Sequence, residues 1–205
     1  MGGDGSYTTE QLQHALDVSV AALNDVPYAL AYGTLLGFIR NGQMIDGDDD
    51  VDIFIESKHF DNAVNAIRSR FPEKISLTRS PYFRCFMVEG VQVDLYSVKN
   101  IRGQTYDCWE DGVFPSRFMF PFVQRGKFMV PNRPEEILKI IYGEQWKTPQ
   151  NGKFNYHENV RKSRKNCKQA RLHLSPLGVS CVAIISTVFV SLIIYFLLKK
   201  KISCQ

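Results

Sequence analysis

Apolar positions early in the chain recur first at helical and then at strand spacing. Leu12, Leu16, Val20 and Leu23 lie four, four and three residues apart, behind Thr8 or Thr9 as a cap with Glu10 in the first turn. The spacing predicts an amphipathic helix ended by Asp25 and Pro27. Tyr28 to Tyr32 then reads as a short buried strand leading into Gly33, and Thr34 to about Arg40 as a second helix stopped by the Asn41-Gly42 turn. Val51 to Ile55 is apolar except at Asp52, the pattern of a strand covered on both faces. Lys58 to Arg70 returns to helical spacing, with Phe60, Val64 and Ile67 on one face. Ile75 to Arg79, Phe83 to Glu89 and Val91 to Val98 are predicted strands, and Asn100 to Pro131 is aromatic without a period. Arg133 to Tyr142 forms the last helix, with Pro134 in its first turn and Gly143 at its end. This order of elements predicts an α/β (α+β) fold with a mixed sheet flanked by helices.

Near the other end, Leu177 to Leu198 runs twenty-two residues without a formal charge and is closed by Lys199, Lys200 and Lys201. About 20 apolar residues span a bilayer, so a single C-terminal transmembrane helix is expected. The organisation is then a flexible leader (1–7), one domain (8–150), a polar linker (151–176), the span (177–198) and a short tail (199–205). The net charge of +4 is local, because Arg161, Lys162, Arg164, Lys165, Lys168 and Arg171 crowd the linker. A basic run directly before a span reads as a flank for anionic lipid head groups, and no nucleic-acid partner is expected. Six basic residues before the span against three after it put the domain on the cytosolic side, with the endoplasmic reticulum or Golgi lumen as the alternative. Five scattered cysteines make no disulfide framework, and no Asn-x-Ser/Thr acceptor occurs. Met1 to Ser6 fits the short pattern for myristoylation of Gly2, but the match is cheap and a glycine-rich flexible leader is the reading taken.

Chemistry concentrates between these regions. Asp46, Asp48, Asp49, Asp50 and Asp52 fall within seven residues, a density of like charge that a compact fold tolerates only with a cation or water beside it. A solvated loop accounts for Asp46, Gly47 and Asp48 but not for Asp52, inside an apolar strand. Side chains two apart on a strand share a face, so Asp50 and Asp52 project together. Few carboxylates plus water and substrate phosphates suit Mg²⁺ or Mn²⁺. An EF-hand calcium loop starting at Asp46 fails, because its sixth residue is Val51 and its twelfth Ser57. Upstream, Gly33-Thr34 opens a helix after a strand, where backbone N–H groups and a hydroxyl can hold phosphate. Asp94 interrupts a third apolar strand; if that strand lies beside Val51 to Ile55, it completes a triad as a further metal ligand or as a proton acceptor.

The run Tyr32-Gly33-Thr34-Leu35-Leu36-Gly37-Phe38-Ile39-Arg40, continued by Asn41-Gly42-Gln43-Met44-Ile45-Asp46-Gly47-Asp48-Asp49-Asp50-Val51-Asp52-Ile53, resembles the signature of the LicD/fukutin family. Val130-Pro131, followed by Ile140-Ile141-Tyr142-Gly143-Glu144-Gln145-Trp146-Lys147-Thr148-Pro149, is similar to its closing motif. The likeness covers about residues 10 to 150, least in the aromatic middle. It implies a polymerase-β-type nucleotidyltransferase fold, Mg²⁺ or Mn²⁺, a nucleotide-activated donor such as a CDP-alcohol, and phosphotransfer to a glycan hydroxyl. By position, Gly33 and Thr34 would hold donor phosphate, with Arg40 as a further phosphate contact. Asp48, Asp50 and Asp52 would ligate metal, and Asp94 would be the third carboxylate and candidate base. Where the family often has Pro-Trp before its acidic run, this chain has Asp46-Gly47, which bears on donor selectivity. The expected activity is a membrane-anchored, metal-dependent phosphotransferase, and the alternative is a non-catalytic relative that binds nucleotide or glycan as a membrane-tethered scaffold.

Overall fold

The computed structural model describes residues 6–73, 80–107, 109–110 and 112–149. Helix α1 (Thr9–Leu23) starts with a capping box, in which the Thr8 hydroxyl accepts from the Gln11 N–H and the Gln11 side chain accepts from the Thr8 N–H. Its inner face is Leu12, Ala15, Leu16, Ser19, Ala22 and Leu23, and Val20 is only half-buried. The predicted stripe therefore turns toward Ser19, as the 3.6-residue period requires once Leu12 and Leu16 are both inside.

Strand β1 (Tyr28–Leu30) is shorter than expected and helix α2 (Tyr32–Asn41) starts two residues early. Ala31, extended, donates its N–H to the Asp52 carbonyl (3.0 Å) and accepts from the Leu35 N–H (2.8 Å), so the chain passes from sheet to helix within one residue. Tyr32 takes a left-handed φ of 38°, a conformation that a non-glycine residue adopts at a cost. Strand β2 (Val51–Glu56) follows, then a single 3₁₀ turn (Ser57–His59) and helix α3 (Phe60–Arg68), which buries Phe60, Val64 and Ile67 as expected.

Strand β3 (Phe83–Val88) and the eleven-residue β4 (Val91–Ile101) complete the part that positions the site. β2 and β4 pair in parallel with Asp52 opposite Asp94, the juxtaposition on which the predicted triad depended. β1 lies antiparallel on the other edge of β2. Along the far edge of β4, residues Val91 to Tyr96 pair with β3, and Val98 to Ile101 pair with β5 (Gln104–Asp107), so two strands share that edge end to end. β6 (Gly112–Pro115) extends the sheet beyond β5, giving the order β1-β2-β4-β5-β6 with β3 on β4. The result is a mixed α/β fold with a mixed sheet and flanking helices.

The stretch from Asn100 to Pro131 is not irregular. It holds the end of β4, β5, β6, the short helix α4 (Ser116–Met119) and a second sheet of β7 (Val123–Arg125) and β8 (Phe128–Val130). The β4–β5 turn places Arg102 at φ 51° and Gly103 at φ 80°, and the β3–β4 turn places Glu89 at 51° and Gly90 at 83°. Both are two-residue hairpins with positive φ at each position, where Asn-Gly is the usual signal and Arg-Gly and Glu-Gly are not. Helix α5 (Pro134–Tyr142) packs against α2, and α1 and α3 pack on one another and on the sheet. Tyr32, Phe54, Tyr96 and Phe114 form an edge-to-face aromatic cluster beneath α2, with ring centroids 5.0–6.3 Å apart.

Among the described residues no helix is long and apolar enough to cross a membrane. The expected span at 177–198, the basic linker and the expected strand at 75–79 lie outside those residues.

Candidate active site

Asp52 and Asp94 sit on neighbouring parallel strands at matched positions, so both carboxylates project from one face of the sheet. They are 5% and 4% exposed, burial that is rare for an acid. Asp50, two residues ahead of Asp52, is half-buried at the rim. One carboxylate oxygen from each of Asp50, Asp52 and Asp94 lies within 4.8 Å of the others. Asp48, Asp49 and Asp50 form a second such group, so Asp49 also joins the cluster from its exposed side.

The first turn of α2 holds Asp52 at three points. Its Oδ2 accepts from the Gly33 N–H (3.1 Å), its own N–H donates to the Thr34 Oγ1 (2.9 Å), and its carbonyl accepts from the Ala31 N–H. The positive end of a helix therefore meets the central acid. Thr34 is fully buried, and its hydroxyl braces β2 against α2. Asp94 accepts from the Gln92 Nε2 at 3.0 Å. The loop carrying Asp48 is pinned to the start of α1: Tyr7 N–H donates to the Asp48 carbonyl, Gly47 N–H to the Tyr7 carbonyl, and Asp46 Oδ1 accepts from the Thr9 N–H (3.2 Å). Asp46 is thus a structural anchor rather than a merely solvated acid.

Burial, then the charge of neighbouring carboxylates, makes ionisation costly throughout the cluster. Asp48 is pushed up to about 6 and Asp50 to about 8, the latter by burial and then by Asp94, Asp49 and Asp48. Asp52 lies well above the carboxylate range, through burial and then Asp50. Removing such mutual repulsion at neutral pH takes protons or a cation. The donors are all hard oxygen atoms on short side chains, partly open at Asp50, and this set fits Mg²⁺ or Mn²⁺.

Gly33 is fitted to the cluster by its missing side chain. A Cβ there would stand 2.7 Å from Asp48 Oδ2 and 3.7 Å from Asp52 Oδ2. The nearer atom ends a movable side chain, so Gly33→Ala is expected to fold and to displace the Asp48 carboxylate. Thermal melting should shift little while turnover falls about 10- to 100-fold, the scale at which small misplacement costs activity; unchanged turnover would show that Asp48 takes no part.

Arg40 is placed differently. It ends α2, about 10 Å along the axis from Gly33, with its Nε donating to Asn41. It is not brought to the carboxylates directly, but its charge and those of Asp52, Asp48 and Asp50 all act on the phenol of Tyr142 in the last turn of α5, which burial pushes up first. Tyr142 and Tyr96 are residues of the site that reading the acids alone misses. Tyr96 follows Asp94 by two positions, and that same-face spacing was available in the sequence. A further acid, Asp107, is fully buried and accepts from the Tyr32 hydroxyl and the Trp109 N–H. A separate cleft of ≈ 650 Å³, lined by Glu56, Lys58, His59 and Arg117 among others, includes none of the clustered acids.

A family model for the LicD/FKTN/FKRP nucleotidyltransferase domain matches residues 25–133, more than half of the chain. No curated protein matches. Among solved structures, the lincosamide antibiotic adenylyltransferase LnuA with lincomycin bound is similar at 16% identity, over 80% of this chain and 98% of that one, with a TM-score of 0.46. ANT(2")-Ia in complex with adenylyl-2"-tobramycin is similar at 14% identity, over 87% and 98%, with a TM-score of 0.45. The solution structure of the antibiotic-resistance factor ANT(2'')-Ia is similar at 12% identity, over 92% and 98%, with a TM-score of 0.43. The family match spans the helix start at Gly33, the acidic loop, β2 and β4, and on that match the chain belongs to the LicD/FKTN/FKRP nucleotidyltransferase-domain family.

Proposed function

We propose that this protein is a metal-dependent phosphotransferase, moving a phosphate-linked group such as phosphocholine or a polyol phosphate from a nucleotide-activated donor to a glycan hydroxyl. The observation that carries this reading is the convergence of Asp50, Asp52 and Asp94 within 4.8 Å at the start of α2. Asp48, Asp50, Asp52 and Asp94 would hold Mg²⁺ or Mn²⁺, which when bound neutralises donor phosphate charge. Gly33, having no side chain, leaves the Asp48 carboxylate room to sit against the start of α2 beside Asp52. Thr34 fixes the β2 backbone on which Asp52 stands. Asp94, steadied by Gln92, accepts the proton of the acceptor hydroxyl as its oxygen bonds to phosphorus and the bond from phosphorus to the nucleotide breaks. Transferase chemistry of this kind is in keeping with the family, and the C-terminal apolar run would anchor the domain to a membrane, on its cytosolic side.

The direct test incubates the full chain in detergent with Mn²⁺, a glycan acceptor panel and separate CDP-, UDP- and GDP-linked donors, following nucleotide release. One donor class should turn over and chelation should stop it. Binding of nucleotide with no turnover of any donor would instead identify a membrane-tethered scaffold.

A further inference from the structure

We propose that Trp109, seated on Phe83, is a stacking platform for the nucleobase of the donor at the rim of the carboxylate cluster. The inference rests on the phosphotransfer reading and adds to it the place where the donor's far end is held.

Among the described residues Trp109 is the only large hydrophobic side chain on the surface, at 37% exposure. An isolated surface tryptophan means little by itself, but this one is held in place. Its ring lies flat on Phe83, with centroids 4.4 Å apart and planes within 5°, and Phe83 is itself buried. One indole face is thus backed by the core, leaving the exposed area to the remainder. The backbone is fixed as well: buried Asp107 accepts from the Trp109 N–H at 3.0 Å and the Glu110 N–H at 3.4 Å, and also from the hydroxyl of Tyr32, the residue before Gly33. A rigid, backed aromatic face loses little entropy when a second ring settles on it.

The register locates this face. Phe83 lies opposite Tyr96, with ring centroids 5.2 Å apart, and Tyr96 follows Asp94 by two residues on the same face of β4. From Asp94 to the platform is therefore about 7 Å along one strand and about 5 Å across to the next. A ribose and its phosphates bridge a gap of that size, whereas an acceptor sugar whose hydroxyl attacks has to lie against phosphorus. Glu110, the next residue, exerts its charge on both Asp50 and Tyr96, so this turn borders the cluster. Base stacking on an aromatic side chain is tolerant of base identity and is worth a substantial loss on removal.

The test uses the full chain in detergent with Mn²⁺, titrated calorimetrically with CDP, UDP and ADP and, as a base-free probe, inorganic pyrophosphate. Trp109→Ala should weaken nucleoside diphosphate binding about tenfold and leave pyrophosphate unchanged, while Trp109→Phe stays within about threefold of the parent. In the parent, nucleotide should quench tryptophan emission, since Trp146, the other tryptophan, is buried. If the parent binds nucleotides and Trp109→Ala binds them equally well, the platform is wrong and the phosphotransfer reading stands. If pyrophosphate binding falls along with nucleotide binding, the residue acts by shaping the site through Asp107 and the platform is again wrong. If the parent binds pyrophosphate but no nucleotide, the nucleotide-donor reading falls and takes the platform with it.

Discussion

Replacing Asp50 and Asp52 together by asparagine is expected to abolish metal-dependent transfer while making the metal-free protein at neutral pH more stable. Loss of one group that stabilises transition-state charge commonly costs about 10² to 10³ in rate, so the double change should reduce turnover by at least about 10³. Stability should move the other way. In the native cluster burial first, and then the charge of neighbouring carboxylates, makes ionising Asp50 and Asp52 at neutral pH costly in a way the unfolded chain does not share. Asparagine keeps the shape and removes the charge. Asp52→Asn retains an oxygen able to accept from the Gly33 N–H, so the start of α2 stays joined to β2. Steady-state turnover and thermal melting of the same preparations decide the matter. Undiminished turnover would sink the mechanism, whereas lost turnover with a lowered melting temperature would mean that the acids support the fold rather than the chemistry.

A second large effect is a coupling of stability to pH and divalent cation. An unfolded aspartate releases its proton near pH 4, whereas the fold holds that of Asp48 to about 6 and that of Asp50 to about 8. Between those limits the native chain binds more protons than the unfolded one, so the stability these groups contribute is fully present below about pH 4 and is lost as pH rises toward 8. A cation requires the ionised carboxylates, so it competes with protons and stabilises more at high pH. The metal-free protein should melt lower at pH 8 than at pH 5, by on the order of 5 °C, given about 2–4 °C per kcal/mol at this size. Saturating Mg²⁺ or Mn²⁺ should raise the melting temperature more at pH 8 than at pH 5, and Asp50→Asn should flatten both trends. A metal-free melting temperature that climbs over this range would contradict the picture.

Much of this was legible from the chain. An acid inside an apolar strand is conspicuous, and the period of two places Asp50 and Asp52 on one face. Asp94 was legible as an anomaly, but its partnership with Asp52 depended on a parallel pairing that spacing cannot supply. The resemblance to LicD proteins carries the expectation of a metal and a phosphate, and the family match bears out the resemblance itself. The aromatic middle was unreadable because its hairpins turn at Arg102-Gly103 and elsewhere without the usual turn dipeptide, so four short strands looked like none. Thr34 was read for its hydroxyl, yet burial and the Asp52 N–H commit that hydroxyl to the sheet. Trp109 and Asp107 carried no local signal, because their meaning comes from β3 and β5 meeting end to end on β4.

That parallel pairing also makes the cluster a report on assembly. β2 and β4 are separate segments of the chain joined through α3 and β3, so neither alone holds more than part of the cluster. A slip of one residue in β4 would send Asp94 to the opposite layer and bring Val93 or Leu95 to face Asp52. A cation held by both strands would bind only the aligned pairing, so it would penalise every such misalignment and favour the correct register.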